Sequence, residues 1–296
     1  MTRLREGFRP TPVPPAAGQC QSGKALGTGS TTTSLIDVFT SAALDAGRAI
    51  MDVYRAGPTA SYKADSSPVT EADEQAERII LAALRQAVPE IPVVAEEAVA
   101  AGRIPVIGDG SFILVDPLDG TKEFIARRDE FTVNIALIRN GAPVLGVVYA
   151  PALGLAYTGD GDTACRLAIG PDFDVREIKP IHVREAGPVV VAVASRSHNT
   201  PETEAFLKDN QIAETCRIGS SLKFGLVAEG QADIYPRFGR TMEWDTAAGD
   251  AVLRAAGGTT ATLDGNPLLY GRTSDAGRLP FANPDFIARG KAGSDG

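Results

Sequence analysis

Ser111-Phe112-Ile113-Leu114-Val115-Asp116-Pro117-Leu118-Asp119-Gly120-Thr121-Lys122-Glu123-Phe124 reads as a strand and the turn that ends it. The first five residues form a short apolar run of the kind found in buried strands. Pro117 is expected to stop the strand, and Gly120 lets the chain turn sharply. Asp116 and Asp119 then sit at the strand's carboxyl end, where open α/β sheets gather their ligands. Two carboxylates three residues apart repel each other unless a cation lies between them. No basic residue lies inside the turn, and Lys122 only follows it. A divalent cation answers that need, and hard oxygen ligands suit Mg²⁺. The plainer alternative is a turn with two solvated aspartates.

Upstream, apolar residues from Leu35 to Tyr54 recur at helical spacing and stop at Gly57-Pro58. Tyr62 to Val69, which contains Lys63, is an irregular polar segment. A second helix opens at Thr70-Glu71-Ala72-Asp73 and stops at Pro89. Thr70 suits the N-cap and Asp73 the third helical position of a capping box, so capping competes with any functional role for Asp73. Ile91 to Ala95 is a short strand running into Glu96-Glu97, a second acid pair at a strand end.

Downstream, Phe131 to Tyr149 reads as a β-hairpin turning at Asn140-Gly141, with one more strand over Gly154 to Tyr157. Val189 to Val193 is an apolar strand ending in Ser195-Arg196-Ser197-His198. Arg217-Ile218-Gly219-Ser220-Ser221-Leu222-Lys223 leads into a helix. Its backbone N–H groups and hydroxyls suit either an anion or simple capping. Ala232 to Tyr235 is a strand, and Trp244-Asp245 precedes a helix rich in small residues, with Asp245 a capping or ligand carboxylate. Alternating strands and helices give an α/β (α+β) architecture. The expected divisions are a disordered leader over 1–33, an α+β metal-binding subdomain over 34–160, an α/β subdomain over 161–290 and a disordered tail over 291–296.

The chain has 296 residues, 44% of them hydrophobic and 22% charged, enough for one large domain or two small ones. A net charge of −8 argues against a nucleic-acid polymer as partner. No apolar run reaches the roughly 18 residues of a membrane span. Cys20, Cys165 and Cys216 are scattered, which suits a reducing cytoplasm and neither a disulfide scaffold nor a zinc site.

Glu96-Glu97, then Asp116 to Phe124 (DPLDGTKEF), then Glu243 to Gly249 (EWDTAAG) occur in one order in one chain. Together they resemble the lithium-sensitive, magnesium-dependent phosphomonoesterases of the inositol monophosphatase superfamily. Lys122-Glu123, where inositol monophosphatases more often have Thr-Asn, favours the CysQ-type 3'(2'),5'-bisphosphate nucleotidase branch. The resemblance spans about residues 34 to 290 and implies a layered αβαβα sandwich. It implies two or three Mg²⁺ ions held by Glu96, Asp116, Asp119, Asp245 and the Leu118 carbonyl. Asp73 and Thr121 would orient and deprotonate the attacking water, with Glu96 beside them in catalysis. Substrate contacts would come from Glu96, Leu118, Asp119, Gly120, Thr121, His198, Gly219, Lys223 and Asp245. Lys63 matches a family lysine near the site.

The implied reaction is hydrolysis of the 3'-phosphate of adenosine 3',5'-bisphosphate, or of its sulfated form, to a 5'-nucleotide and phosphate. Direct attack by a metal-activated water fits a site without a Ser-His or Cys-His pair. The implied setting is sulfur metabolism in the cytoplasm, with peripheral association at the inner membrane left open, as a monomer or homodimer. An inositol or sugar monophosphatase is the alternative within the fold, and a non-catalytic metal- or nucleotide-binding module is the alternative outside it.

Overall fold

The computed structural model describes residues 3–4, 34–62, 68–108, 110–196, 200–273 and 279–291. Fifteen strands are assigned among them: β1 (Arg3–Leu4), β2 (Ala60–Tyr62), β3 (Pro68–Thr70), β4 (Val93–Ala95), β5 (Ser111–Asp119), β6 (Thr132–Arg139), β7 (Ala142–Ala150), β8 (Leu155–Asp160), β9 (Thr163–Ile169), β10 (Val175–Pro180), β11 (Val191–Ser195), β12 (Glu214–Ile218), β13 (Ile234–Arg237), β14 (Thr259–Thr262) and β15 (Phe286–Arg289). The α-helices are α1 (Leu35–Ala56), α2 (Glu71–Ala87), α3 (Glu96–Ala100), α4 (Thr121–Ile125), α5 (Pro201–Asp209), α6 (Leu222–Ala228) and α7 (Glu243–Ala255).

Strands β4 to β10 form one sheet in the order β10-β9-β8-β7-β6-β5-β4, antiparallel except for the parallel β4–β5 pair. A second sheet runs β1-β12-β11-β13-β15-β14. The strands of the first sheet alternate their side chains between two cores. Ile113, Val115, Ile135 and Val147 pack with α1 and α2, while Phe112, Leu114, Ile138 and Val148 pack with α6, α7 and the second sheet. A smaller third core joins Ala192 and Ile234 to Leu207 of α5. Helix, sheet, helix, sheet, helix: the layered αβαβα sandwich follows.

The expected end of β5 is corrected. Pro117 does not end β5, which runs on to Asp119. The partners step from Asp116↔Asn134 to Asp119↔Thr132, so one extra residue is bulged out beside Pro117, a proline's usual place in a sheet. With period-two alternation, residues three apart face opposite ways; the bulge brings Asp116 and Asp119 back to one side. Past residue 160, β9 and β10 continue the first sheet. The chain changes sheet between Pro180 and Val191. Of the leader, Arg3–Leu4 pair in parallel with Glu214–Thr215, and of the tail, Lys291 bridges to Glu185; the rest of both lies outside the described residues. Part of the segment read as irregular is the β2–β3 hairpin, in which Tyr62 pairs with Pro68.

Candidate active site

The site is assembled where several elements end. Glu96 begins α3, Asp116, Leu118 and Asp119 close β5, and Thr121 begins α4. Gly219 follows β12, Lys223 lies in α6, and Asp245 is the third residue of α7. Gly120 turns the chain with φ 91, and a Cβ there would lie 3.1 Å from the Glu130 carbonyl oxygen, so backbone freedom and close approach both require glycine. A cavity of about 230 Å³ is lined by Glu96, Asp119, Gly120, Thr121, Gly219, Lys223 and Asp245. Asp116 lies deeper, 1% exposed. His198 and Lys63 lie outside the described residues.

Asp73 both caps its helix and reaches Thr121. Its Oδ2 accepts the Thr70 N–H at 2.8 Å and the Thr70 hydroxyl at 2.7 Å, closing the capping box of α2. Its Oδ1 accepts the Thr121 hydroxyl at 3.1 Å. That hydroxyl also lies 3.2 Å from the Leu118 carbonyl oxygen and shares its single proton between them. One turn along α2, the Glu77 carboxylate accepts the Glu97 N–H at 2.8 Å. Ala95 gives α3 no side-chain cap, so Glu77 supplies one from a neighbouring helix and steadies the residue beside Glu96.

The carboxylates strain against one another. Burial, then Glu96, Asp119 and Asp245, push Asp116 well above the ordinary carboxylate range. Burial, then Asp119 and Glu96, do the same to Asp245, against the pull of Arg237. A buried set of hard oxygen donors that repel one another is what a divalent cation relieves, so the donors fit such an ion. Among the described residues they do not close into a ready ligand sphere. Asp119 Oδ2 instead accepts the Ser220 hydroxyl at 2.6 Å and the Ser221 hydroxyl at 2.9 Å, while Asp116 Oδ1 accepts the Leu118 N–H at 3.0 Å. Asp245 Oδ2 accepts the Met242 N–H at 2.8 Å and closes a cap of α7.

The same lining also carries cations. Lys223 is 6% exposed; its amine donates to the Ser220 carbonyl and faces the Tyr235 ring at 5.6 Å. Burial draws its pKa down to about 8, with Asp119 opposing and Arg237 reinforcing the shift. Arg237 and Arg240 line the cavity beside it. Neither arginine was singled out from sequence, although Arg237 ends a strand, the same signal that picked out Asp116. Ser221 caps nothing with its side chain: its oxygen accepts from Asn134 Nδ2 at 3.0 Å, and its one proton is shared between Asp119 and, at 2.6 Å, the Asp245 carbonyl oxygen.

The chain belongs to the inositol monophosphatase family, whose sequence profile matches residues 32–288. It is 46% identical over 254 residues to the 3'(2'),5'-bisphosphate nucleotidase CysQ of Escherichia coli O157:H7, covering 85% of this chain and 98% of that one. Against CysQ of Salmonella typhimurium LT2 the identity is 48% over 246 residues, or 82% of this chain and 95% of the relative. The fold overlays the crystal structure of CysQ from Bacteroides thetaiotaomicron with a TM-score of 0.72 at 39% identity, covering 88% of this chain and 98% of the other.

Proposed function

We propose that this protein is a divalent-cation-dependent phosphomonoesterase that removes the 3'-phosphate of adenosine 3',5'-bisphosphate, or of its 5'-sulfated form, leaving the 5'-nucleotide and phosphate. The observation that carries the reading is the Asp73–Thr121 hydrogen bond, set beside a cavity lined both by carboxylates and by Lys223, Arg237 and Arg240. The nucleotide is supported by the names of the CysQ relatives. The cation is supported by membership of a family of metal-dependent phosphatases and by the self-repelling oxygen donors. Glu96, Asp116, Asp119, Asp245 and the Leu118 carbonyl would hold Mg²⁺. When bound, it supplies positive charge to the phosphate dianion and lowers the pKa of water.

The chain's own residues supply the rest. Thr121 donates to Asp73, so its oxygen lone pairs remain to accept a proton from an attacking water, which passes the charge toward a carboxylate fixed by Thr70. Lys223 is protonated below about 8 and offers its charge to substrate phosphate. Among the described residues no helix is long and apolar enough to cross a membrane; a cytoplasmic setting goes with the reading.

The test is phosphate release with Mg²⁺ from adenosine 3',5'-bisphosphate and from myo-inositol 1-phosphate in parallel. A nucleotide preference of about 100-fold in kcat/KM, some 2.7 kcal/mol at the transition state, is expected. The reverse preference overturns the substrate, and no release from either overturns the reaction.

A further inference from the structure

Glu130 lies in the connection between α4 and β6, outside every strand end and helix start that drew attention in the sequence. Its side chain, 17% exposed, makes one ion pair and one backbone hydrogen bond across the molecule. Oε2 accepts the Gly219 N–H at 2.9 Å, and Oε1 meets Arg196 Nη1 at 2.7 Å. Arg196 in turn donates from Nη2 to the Arg217 carbonyl oxygen at 3.1 Å. One carboxylate thus gathers the ends of β11 and β12, both in the second sheet, onto a segment of the first.

The backbone of Glu130 fills the gap between Gly120 and Gly219. A Cβ on Gly120 would stand 3.1 Å from its carbonyl oxygen, and one on Gly219 would stand 3.0 Å from the same atom and 3.2 Å from Oε2. Next to Gly219, Ser220 holds φ 55, a left-handed conformation that a non-glycine residue keeps only when its surroundings impose it. Ser220 is also the residue whose hydroxyl reaches Asp119 and whose carbonyl receives Lys223.

We propose that Glu130 is a positioning residue. It ties Arg196, just after β11, and Gly219, just after β12, to the α4–β6 connection, and so fixes the pocket wall around Gly219 that receives the part of the substrate beyond the hydrolysed phosphate. The inference depends on the phosphomonoesterase reading only for the choice of substrate. Without the carboxylate, the Gly219 N–H and Arg196 lose a shared acceptor and the wall loosens. Asp73 and Thr121 are anchored in other elements and keep their contact.

The test compares Glu130→Ala and Glu130→Gln with the unaltered chain by two readouts. In hydrogen exchange, amides of residues 217–221 should exchange about tenfold faster in Glu130→Ala, with β5 unchanged. In kinetics with Mg²⁺, the KM for adenosine 3',5'-bisphosphate should rise about tenfold while kcat and the inhibition constant of inorganic phosphate stay within about threefold. Glu130→Gln keeps an oxygen for Gly219 and loses the charge facing Arg196, so it should fall between the two. Unchanged exchange at 217–221, equal losses for nucleotide and phosphate, or a fall in kcat at constant KM would each overturn the proposal. Should Glu130→Ala fail to fold, Glu130→Gln and Arg196→Ala carry the same comparison. An unaltered enzyme that turns over only myo-inositol 1-phosphate would sink the nucleotidase reading, while the exchange data and the same KM comparison on that ester still decide Glu130.

Discussion

At Asp73 both carboxylate oxygens are engaged, one by the start of its own helix and one by Thr121. Asp73→Ala should therefore lower kcat by about 10²–10⁴-fold through loss of the proton acceptor and also cost roughly 1 kcal/mol through loss of the cap. Thr121→Val should lower kcat comparably and leave the cap intact. Steady-state kinetics and urea unfolding on the two variants separate these effects, and a Thr121→Val enzyme of full kcat would remove the hydroxyl from the mechanism. Asp73, Asp116, Asp119 and Asp245 were legible because each stands at a strand or helix end marked by local sequence. Glu130 was not, because its acceptor role is defined by an N–H 89 residues away. Arg237 could have been read and was passed over.

Among the elements, α7 presses hardest on the first sheet. A Cβ on Gly146 of β7 would lie 2.4 Å from the Ala248 carbonyl oxygen and 2.8 Å from the Ala251 Cβ, and backbone cannot yield as a side-chain tip can. Gly146→Ala should cost about 1–3 kcal/mol as an overpacked core. It should also lower activity, because Asp245 rides at the start of the displaced helix. Thermal unfolding and kcat/KM on the variant check both, and a stable, active Gly146→Ala would mean the layers have slack. Helices α1, α2, α6 and α7 and the β6–β7 hairpin were legible from the sequence, whereas α3 and α4, five residues each, were too short to show a period. β10 was not: all six of its residues are exposed at a sheet edge, so neither face writes a hydrophobic pattern. β14 and β15 are four residues each, too short to show a period. The bulge at Pro117 hid the last residues of β5 behind a proline that ordinarily ends a strand.

For the whole molecule, the passage from one sheet to the other is held by Arg184. Its guanidinium meets both oxygens of Asp233 at 2.8 and 2.7 Å, and Asp233 also accepts the Val191 N–H at 2.7 Å. Burial pulls the Asp233 pKa upward, but these donors outweigh it and hold the group below its ordinary 3.8. A carboxyl depressed in the folded state stabilises above its unfolded pKa, and that stability is lost as pH falls through the folded one. Arg184 is 39% exposed, so solvent screens the pair and a contribution of about 1 kcal/mol is expected. Asp233→Asn should be less stable by that amount at pH 7, and the gap should close in acid as pH falls below the ordinary 3.8 and through the depressed folded-state value. A gap that persists in acid would assign the effect to packing.

The double engagement of Asp73 bears on how descendants of this protein would look if they gave up their chemistry. Helix α2 would still need its cap, so selection for folding alone would go on favouring an aspartate at position 73. Thr121 has a smaller stake in folding and would be free to drift. In a lineage of uncertain activity, an aspartate at 73 would testify to ancestry, and a hydroxyl at 121 to continued use.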